Sequence, residues 1–207
     1  MNSLIDYSYL TGDSQFDDLV AEGMLHQVSE SNDFMPPNQT KTLGNDDQSY
    51  WGLAAMAAAE NGFSTNKLGS RSWVDFAMNV FDDQALRWNT KTCGGGLNWQ
   101  IFKFNNGYTY KNSVSTGNFF LLAARLAKFT GNNTYTEWAE KAFEWTKNTG
   151  LISPDFTVFD GFDEKSNCSE INHIQWSSYH AIFTEGAAVM YKAVSLLVPY
   201  PRNISDL

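Results

Sequence analysis

Apolar residues recur along this chain at helical spacing, and no stretch sustains the residue-by-residue alternation of a half-buried strand. The spacing predicts a first helix over about 14–28, with Phe16, Leu19, Val20 and Met24 on one stripe and Asp17, Asp18 and Glu22 largely opposite. After a Pro-containing loop over 33–43, a second helix starts near Asn45. Its run of Trp51, Leu53, Ala54, Ala55, Met56, Ala57 and Ala58 is apolar almost all round, the mark of a helix buried on most sides. A third, over about 72–87, turns Trp73, Phe76, Ala77, Val80 and Phe81 to a core and Asp75, Asn79, Asp82 and Asp83 mainly outward. A long loop over 89–112 follows. A fourth helix over about 114–129 ends before Gly131, a suitable C-terminal cap. The fifth opens with Thr134 and Glu137 at capping-box spacing and stops near Gly150; a sixth covers about 174–197.

The fold class is therefore all-α. Small-residue, buried helices near 51 and 120 alternate with amphipathic ones rich in Lys and Glu, which implies an inner and an outer layer. Antiparallel hairpins wound into a toroid give this alternation, and the predicted helices would be half of a twelve-helix ring. A compact bundle fits the same pattern equally well.

Composition narrows the class of protein. The 207 residues are 43% hydrophobic, enough for a packed core, and the net charge of −9 opposes binding to nucleic acid or anionic lipid, which needs clustered Lys and Arg. No apolar run approaches the ~18 residues of a membrane span, and Met1 to Leu10 lacks the basic and apolar regions of a signal peptide. Sequons at Asn38, Asn132, Asn167 and Asn203 point instead to secretion. Cys93 and Cys168 both lie in Gly/Asn-rich, loop-like sequence rather than in apolar runs, which predicts a disulfide between them.

The chain contains three Asp-Asp pairs. Asp17-Asp18 and Asp82-Asp83 fall on polar helix faces and read as solvated carboxylates. Asp46-Asp47 stands after Gly44-Asn45, at the mouth of the most buried helix. Asn45 or Asp46 can cap the helix by accepting backbone N–H bonds, and acids in the first turn complement its dipole. Alternatively they are a glycosidase pair, in which one carboxylic acid protonates the leaving oxygen while a second carboxylate attacks carbon or activates water. Neighbouring residues near a helix start diverge by ~100° about the axis, compatible with the ~5–5.5 Å separation of a retaining pair.

Three other clusters could meet a ligand. Cys93-Gly94-Gly95-Gly96-Leu97-Asn98-Trp99-Gln100 has glycines that allow close approach or positive φ, followed by a stacking ring and an amide. Tyr108 to Ser113 is aromatic and amide-bearing, with Asn112 or Ser113 equally readable as a helix cap, and Asp160-Gly161 is most simply a turn. No metal is expected, because His26, His173 and His180 lack ligand spacing, and no cofactor motif or Gly-x-Ser-x-Gly elbow is present.

Asn45-Asp46-Asp47-Gln48 before an aromatic pair, Cys93-Gly94-Gly95-Gly96-Leu97 before Trp99-Gln100, and Tyr110-Lys111-Asn112-Ser113 together resemble glycoside hydrolase family 76, over about 11–192. The resemblance implies an (α/α)6 barrel and retaining catalysis by an adjacent Asp pair, with Asp46 as nucleophile and Asp47 as acid/base. It carries subsite contacts onto Trp51, Trp99, Gln100, Asn112 and Asp160. The branch most similar is the fungal cell-wall one, mannan endo-1,6-alpha-mannosidase-like proteins. It implies mannan or the glycosylphosphatidylinositol core glycan as substrate, transfer to wall glucan, and full-length relatives held at the membrane by a lipid anchor. Three departures stand out. A signal peptide and at least one helix before Thr11 are missing, the chain stops at Leu207 short of a full ring, and Trp176-Ser177-Ser178-Tyr179-His180 stands where an aromatic-Asn pair is expected after the Trp. The resulting expectation is a single domain over 1–207, truncated at both ends, exposing apolar surface around Leu53, Met56, Ile182 and Val189, aggregation-prone and without activity alone. The other reading is an inactive mannoside-binding or vestigial fragment.

Overall fold

The computed structural model describes residues 1–197, so the sequon at Asn203 lies outside the described residues. The helices are α1 (Asn2–Thr11), α2 (Asp17–His26), α3 (Asn45–Glu60), α4 (Trp73–Arg87), α5 (Ser113–Thr130), α6 (Asn133–Asn148) and α7 (Ser177–Leu197). Two three-residue strands, β1 (Tyr110–Asn112) and β2 (Gly161–Asp163), pair antiparallel with Lys111 opposite Phe162.

Helix ends follow local chemistry. Ser72 caps α4 by accepting from the Asp75 amide, and the Asp75 side chain accepts from the Ser72 amide in return. Gly131 closes α5 at φ 70, a left-handed conformation that costs glycine little. At α6 the capping expectation shifts by two residues: Asn132, not Thr134, is the N-cap, its side chain accepting from the Thr134 amide. An Asn earlier in the same polar run wins because its short side chain folds back onto the first turn.

The layering is as expected. α5 packs against α3, α6 and α7, and α4 packs against both α3 and α5. The inner helices are α3, α5 and α7; α4 and α6 cover them from outside, joined by an aromatic cluster in which Trp88, Phe119 and Trp138 meet at 5.6–6.0 Å.

Several expectations fail here. A helix stands before Thr11 after all: α1 packs on α3 and buries Ile5. Leu19 is 62% exposed, because the buried stripe of α2 is Val20, Ala21 and Met24. Leu53, Met56 and Ile182 are buried rather than uncovered, and Val189 is half-buried against the core. Uncovered apolar side chains include Ile174, Trp176 and Tyr191 on α7 and the segment before it, along with Leu10, Leu86, Phe104 and Phe156 elsewhere on the surface, and a groove of about 600 Å³ lined by Phe120, Phe143 and Met190 opens between α6 and α7.

Cys93 and Cys168 form the expected disulfide, with Cα atoms 5.8 Å apart across 75 residues of sequence. Thiol titration of the unfolded, unreduced protein should find no free cysteine, and reduction should cost ~4 kcal/mol in the chain-entropy model. Two titratable thiols would overturn the pairing.

Candidate active site

The site is built on the first turn of α3, and its neighbours hold that turn in place. The Asn45 amide donates to the Trp99 carbonyl at 2.9 Å, and the Asn45 side chain donates to the Asn98 carbonyl at 2.8 Å. Behind it, Arg87 donates to Asn45 Oδ1 at 3.1 Å and pairs with Asp83 at 3.1 Å, while Gln48 donates to Asp83 at 2.9 Å. Asp83 is thus no idle surface carboxylate, as its polar-face position implied; it anchors the underside of the site.

Asp46 and Asp47 occupy the second and third positions of this turn. Asp47 is exposed, and its Oδ2 accepts from the Gly44 amide at 2.8 Å, so the capping contact falls to Asp47 rather than to Asn45 or Asp46, because the helix starts one residue earlier with Gly44 as its N-cap. Asp46 is half-buried, and its Oδ1 is buried with no hydrogen-bond partner among the described residues. Burial first, and the Asp47 charge second, push the Asp46 carboxyl up to about 6; backbone amides and the Trp99 side chain only partly offset them. Gly44 permits the arrangement: a Cβ there would run into the Asp46 carboxylate and the Trp99 carbonyl.

This carboxyl is held at a cost. A fold that raises an acid from 3.8 to about 6 favours its protonated form. Its contribution to stability is therefore greatest below pH 3.8 and is lost as pH rises through 6, amounting to ~3 kcal/mol of penalty at neutral pH. Asp46→Asn should therefore be more stable than the parent at pH 7.5 by ~2–3 kcal/mol, with the gap closing by pH 4. Equal chemical denaturation midpoints at both pH values would refute the burial argument.

The remaining expected contacts divide. Trp99 is 38% exposed, its ring laid over Gly107, where a Cβ would strike it, and it offers an open aromatic surface beside Asp46. Trp51 is stacked on Phe34 at 5.9 Å and is committed largely to packing. The Gln100 amide is engaged by Asn105 at 3.0 Å, fastening its own loop. Asn112 is buried and caps α5, accepting from the Ser115 amide, so the capping alternative holds there. Asp160 accepts from Tyr110, Asn172 and Tyr179.

The triple glycine is structural. Gly94, Gly95 and Gly96 all take positive φ, and the rings of Trp145 and Trp88 lie where Cβ atoms of Gly95 and Gly96 would be. The loop wraps the fully buried Lys111, whose ammonium donates to the carbonyls of Asn89, Thr92 and Gly95 and faces Glu164 at 3.7 Å. Burial pushes this lysine down to about 8 against the pull of Glu164. His180, at the position departing from the expected Asn, accepts from the Val158 amide through Nε2 at 3.1 Å and so braces the loop leading to Asp160.

Sequence patterns do not single out Tyr50, Asn118 or Tyr179. Tyr50 lies one turn after Asp46 on the same face of α3, is half exposed, and is raised chiefly by burial and further by the charges of both aspartates. Asn118 of α5 is fully buried beside it, with neither amide atom hydrogen-bonded among the described residues. The i to i+4 step from Asp46 is the available signal for Tyr50, and the aromatic place of the expected aromatic-Asn pair is the one for Tyr179; nothing local marks Asn118. The described residues contain no group of His, Cys, Asp and Glu that could hold a metal.

Comparison with known proteins agrees with this architecture. The sequence model of Glycosyl hydrolase family 76 matches residues 1–195. Mannan endo-1,6-alpha-mannosidase DCW1 of Eremothecium gossypii is 46% identical over 193 residues, covering 91% of this chain and 43% of that protein; DCW1 of Saccharomyces cerevisiae is 43% identical over 190 residues, covering 91% and 42%. The crystal structure of Dfg5 from Chaetomium thermophilum in complex with glucosamine superposes with a TM-score of 0.90 at 45% identity, over 94% of this chain and 48% of that one. An alpha-1,6-mannanase of Salegentibacter sp., inactivated by replacing two consecutive aspartates and bound to alpha-1,6-mannotetrose, shares the fold with a TM-score of 0.74 at 19% identity, over 93% and 52%. The chain thus spans about half the length of the relatives it matches.

Proposed function

Because this chain belongs to glycosyl hydrolase family 76, we propose that it carries the catalytic carboxylates and one wall of the cleft of a retaining enzyme acting on α-1,6-mannosides. The observation that carries the reading is the Asp46 carboxylate: a half-buried acid with an unpartnered buried oxygen, beside a second acid and an open tryptophan face, on a helix start tied down from three sides. A cap alone needs none of this, and Asp47 already supplies the cap.

In the proposed reaction an Asp46 oxygen attacks the anomeric carbon as the glycosidic C–O bond breaks, and Asp47, at the exposed mouth, delivers a proton to the leaving oxygen. Asp47 then takes a proton from water, or from an acceptor sugar hydroxyl, as that oxygen displaces Asp46. Both displacements invert, so the product keeps the α configuration. Attack requires ionised Asp46, so the rate should fall as pH drops below about 6. The biological setting we propose is the fungal cell surface, where the substrate is mannan or the glycosylphosphatidylinositol core glycan and wall glucan is the acceptor. Exposed sequon residues Asn38, Asn132 and Asn167 support a secreted protein.

The test is proton NMR of the 207-residue chain acting on α-1,6-mannotetraose, with and without a β-glucan oligosaccharide. An α-anomer appearing first is expected. First release of the β-anomer would refute retention, and binding without turnover would favour a mannoside-binding role instead.

A further inference from the structure

The hydrogen bonding beside the aspartate pair converges on Asp160. Asp160 is heavily engaged: its Oδ2 accepts from the Tyr110 hydroxyl at 2.7 Å and the Asn172 amide at 3.0 Å, and its Oδ1 accepts from the Tyr179 hydroxyl at 3.3 Å. Its backbone is held as well, the carbonyl accepting from the Ser113 amide at 2.8 Å and the amide donating to the Asn172 carbonyl at 3.1 Å. A carboxylate held by three donors and fixed at its backbone is well placed to orient one of its partners.

Tyr179 is that partner. It lies in the first turn of α7, as Asp46 lies in the first turn of α3, and the start of α5 at Ser113 shares Asp160 with it. The start of α3 joins them through a relay of hydrogen bonds, the Asn45 amide donating to the Trp99 carbonyl, the Trp99 amide to the Tyr110 carbonyl and the Tyr110 hydroxyl to Asp160, so the three inner helices begin around the same site. Burial raises the Tyr179 hydroxyl, and the charges of Asp160 and Asp46, with Tyr50 between them in effect, raise it further. It stays protonated, and that proton is committed to Asp160. Its lone pairs remain available.

Resting on the mannoside reading above, we propose that Tyr179 contacts the substrate, its oxygen accepting a hydrogen bond from a hydroxyl of the sugar beside Asp46, and that Asp160 is a positioning residue acting through it. A phenol whose only proton is taken can recognise a hydroxyl solely as a donor, so the contact discriminates by one sugar hydroxyl rather than by ring shape.

The test measures binding of α-1,6-mannotriose by calorimetry, and turnover, with the full 207-residue chain. Tyr179→Phe should weaken affinity or kcat/KM about tenfold. It should also abolish the preference for the parent sugar over one member of a monodeoxy-mannoside series, a change that mere loosening of the fold would not produce. Asp160→Asn should show a similar loss, and the double variant should be no worse than Tyr179→Phe alone by more than about twofold. Tyr110→Phe removes the shorter bond to the same carboxylate; it should lower Tm but leave affinity intact. Unchanged affinity in Tyr179→Phe, or fully additive losses, would overturn this inference while leaving the carboxylate pair standing. A parent chain that neither binds nor cleaves mannotriose would instead sink the mannoside reading itself.

Discussion

Replacing Asp47 by Asn is expected to cut cleavage of unactivated α-1,6-mannosides by ~10²–10⁴-fold while leaving stability within ~0.5 kcal/mol. The substitution separates the two roles open to this residue. Asn keeps a carbonyl oxygen where Asp47 accepts from the Gly44 amide, so the cap survives, but it has no proton to give. If Asp47 only capped α3, activity would not change. Azide sharpens the assignment within the pair. In an Asp47→Ala protein a small anion can intercept the glycosyl-enzyme and should yield the α-mannosyl azide, by two displacements. In Asp46→Ala it should attack carbon directly and yield the β-azide. The reverse pattern would exchange the two roles; azide products from neither would argue against a covalent intermediate.

The second large effect concerns Lys111, which touches no part of the proposed chemistry. Its ammonium is the common partner of the Asn89, Thr92 and Gly95 carbonyls, all contributed by the loop that the Cys93–Cys168 disulfide pins from outside. Lys111→Met keeps most of the length of the side chain and strips away the donor. Buried carbonyls would then lack a partner, and the change should cost ~3–5 kcal/mol, read as a drop in the urea midpoint at an unchanged slope. Glu164 is less affected, since Asn89, Thr92 and Asn98 also donate to it. A loss below ~1 kcal/mol would mean that the loop closes without its central cation. Because Lys111 faces Phe162 across the β1–β2 pair and that pair leads directly to Asp160, partial unfolding here should also reach the cleft.

Element identity is largely legible in the amino-acid sequence. The period of α4 and its Ser72 and Asp75 capping pair, the glycine stop of α5, and the all-round burial of α3 are properties of residues close in sequence, and local physics is enough for them. α1 escapes because a helix of ten residues that buries a single apolar side chain, Ile5, leaves no stripe to read. The layered arrangement and the Asp46-Asp47 pair are visible for related reasons: small residues mark helices that must pack closely, and adjacent acids at a buried helix mouth are costly without a use.

What sequence cannot supply is the state of each polar group's hydrogen-bonding capacity. Gln100, Asn112 and Asp160 have the chemistry of sugar ligands, but the fold spends that chemistry on Asn105, on the α5 cap, and on a tyrosine network. Asn118 is an ordinary residue along the chain, and the part played by Tyr179 shows only where its hydroxyl meets Asp160. The same holds for Leu53 and Met56, which are apolar in sequence whether or not the fold buries them. The chain by itself determined most of the helices and set the Asp46-Asp47 pair apart at the mouth of a buried one. The tertiary structure alone decided which polar atoms remain free to meet a substrate, because hydrogen bonds between residues dozens of positions apart depend on packing that no local pattern encodes.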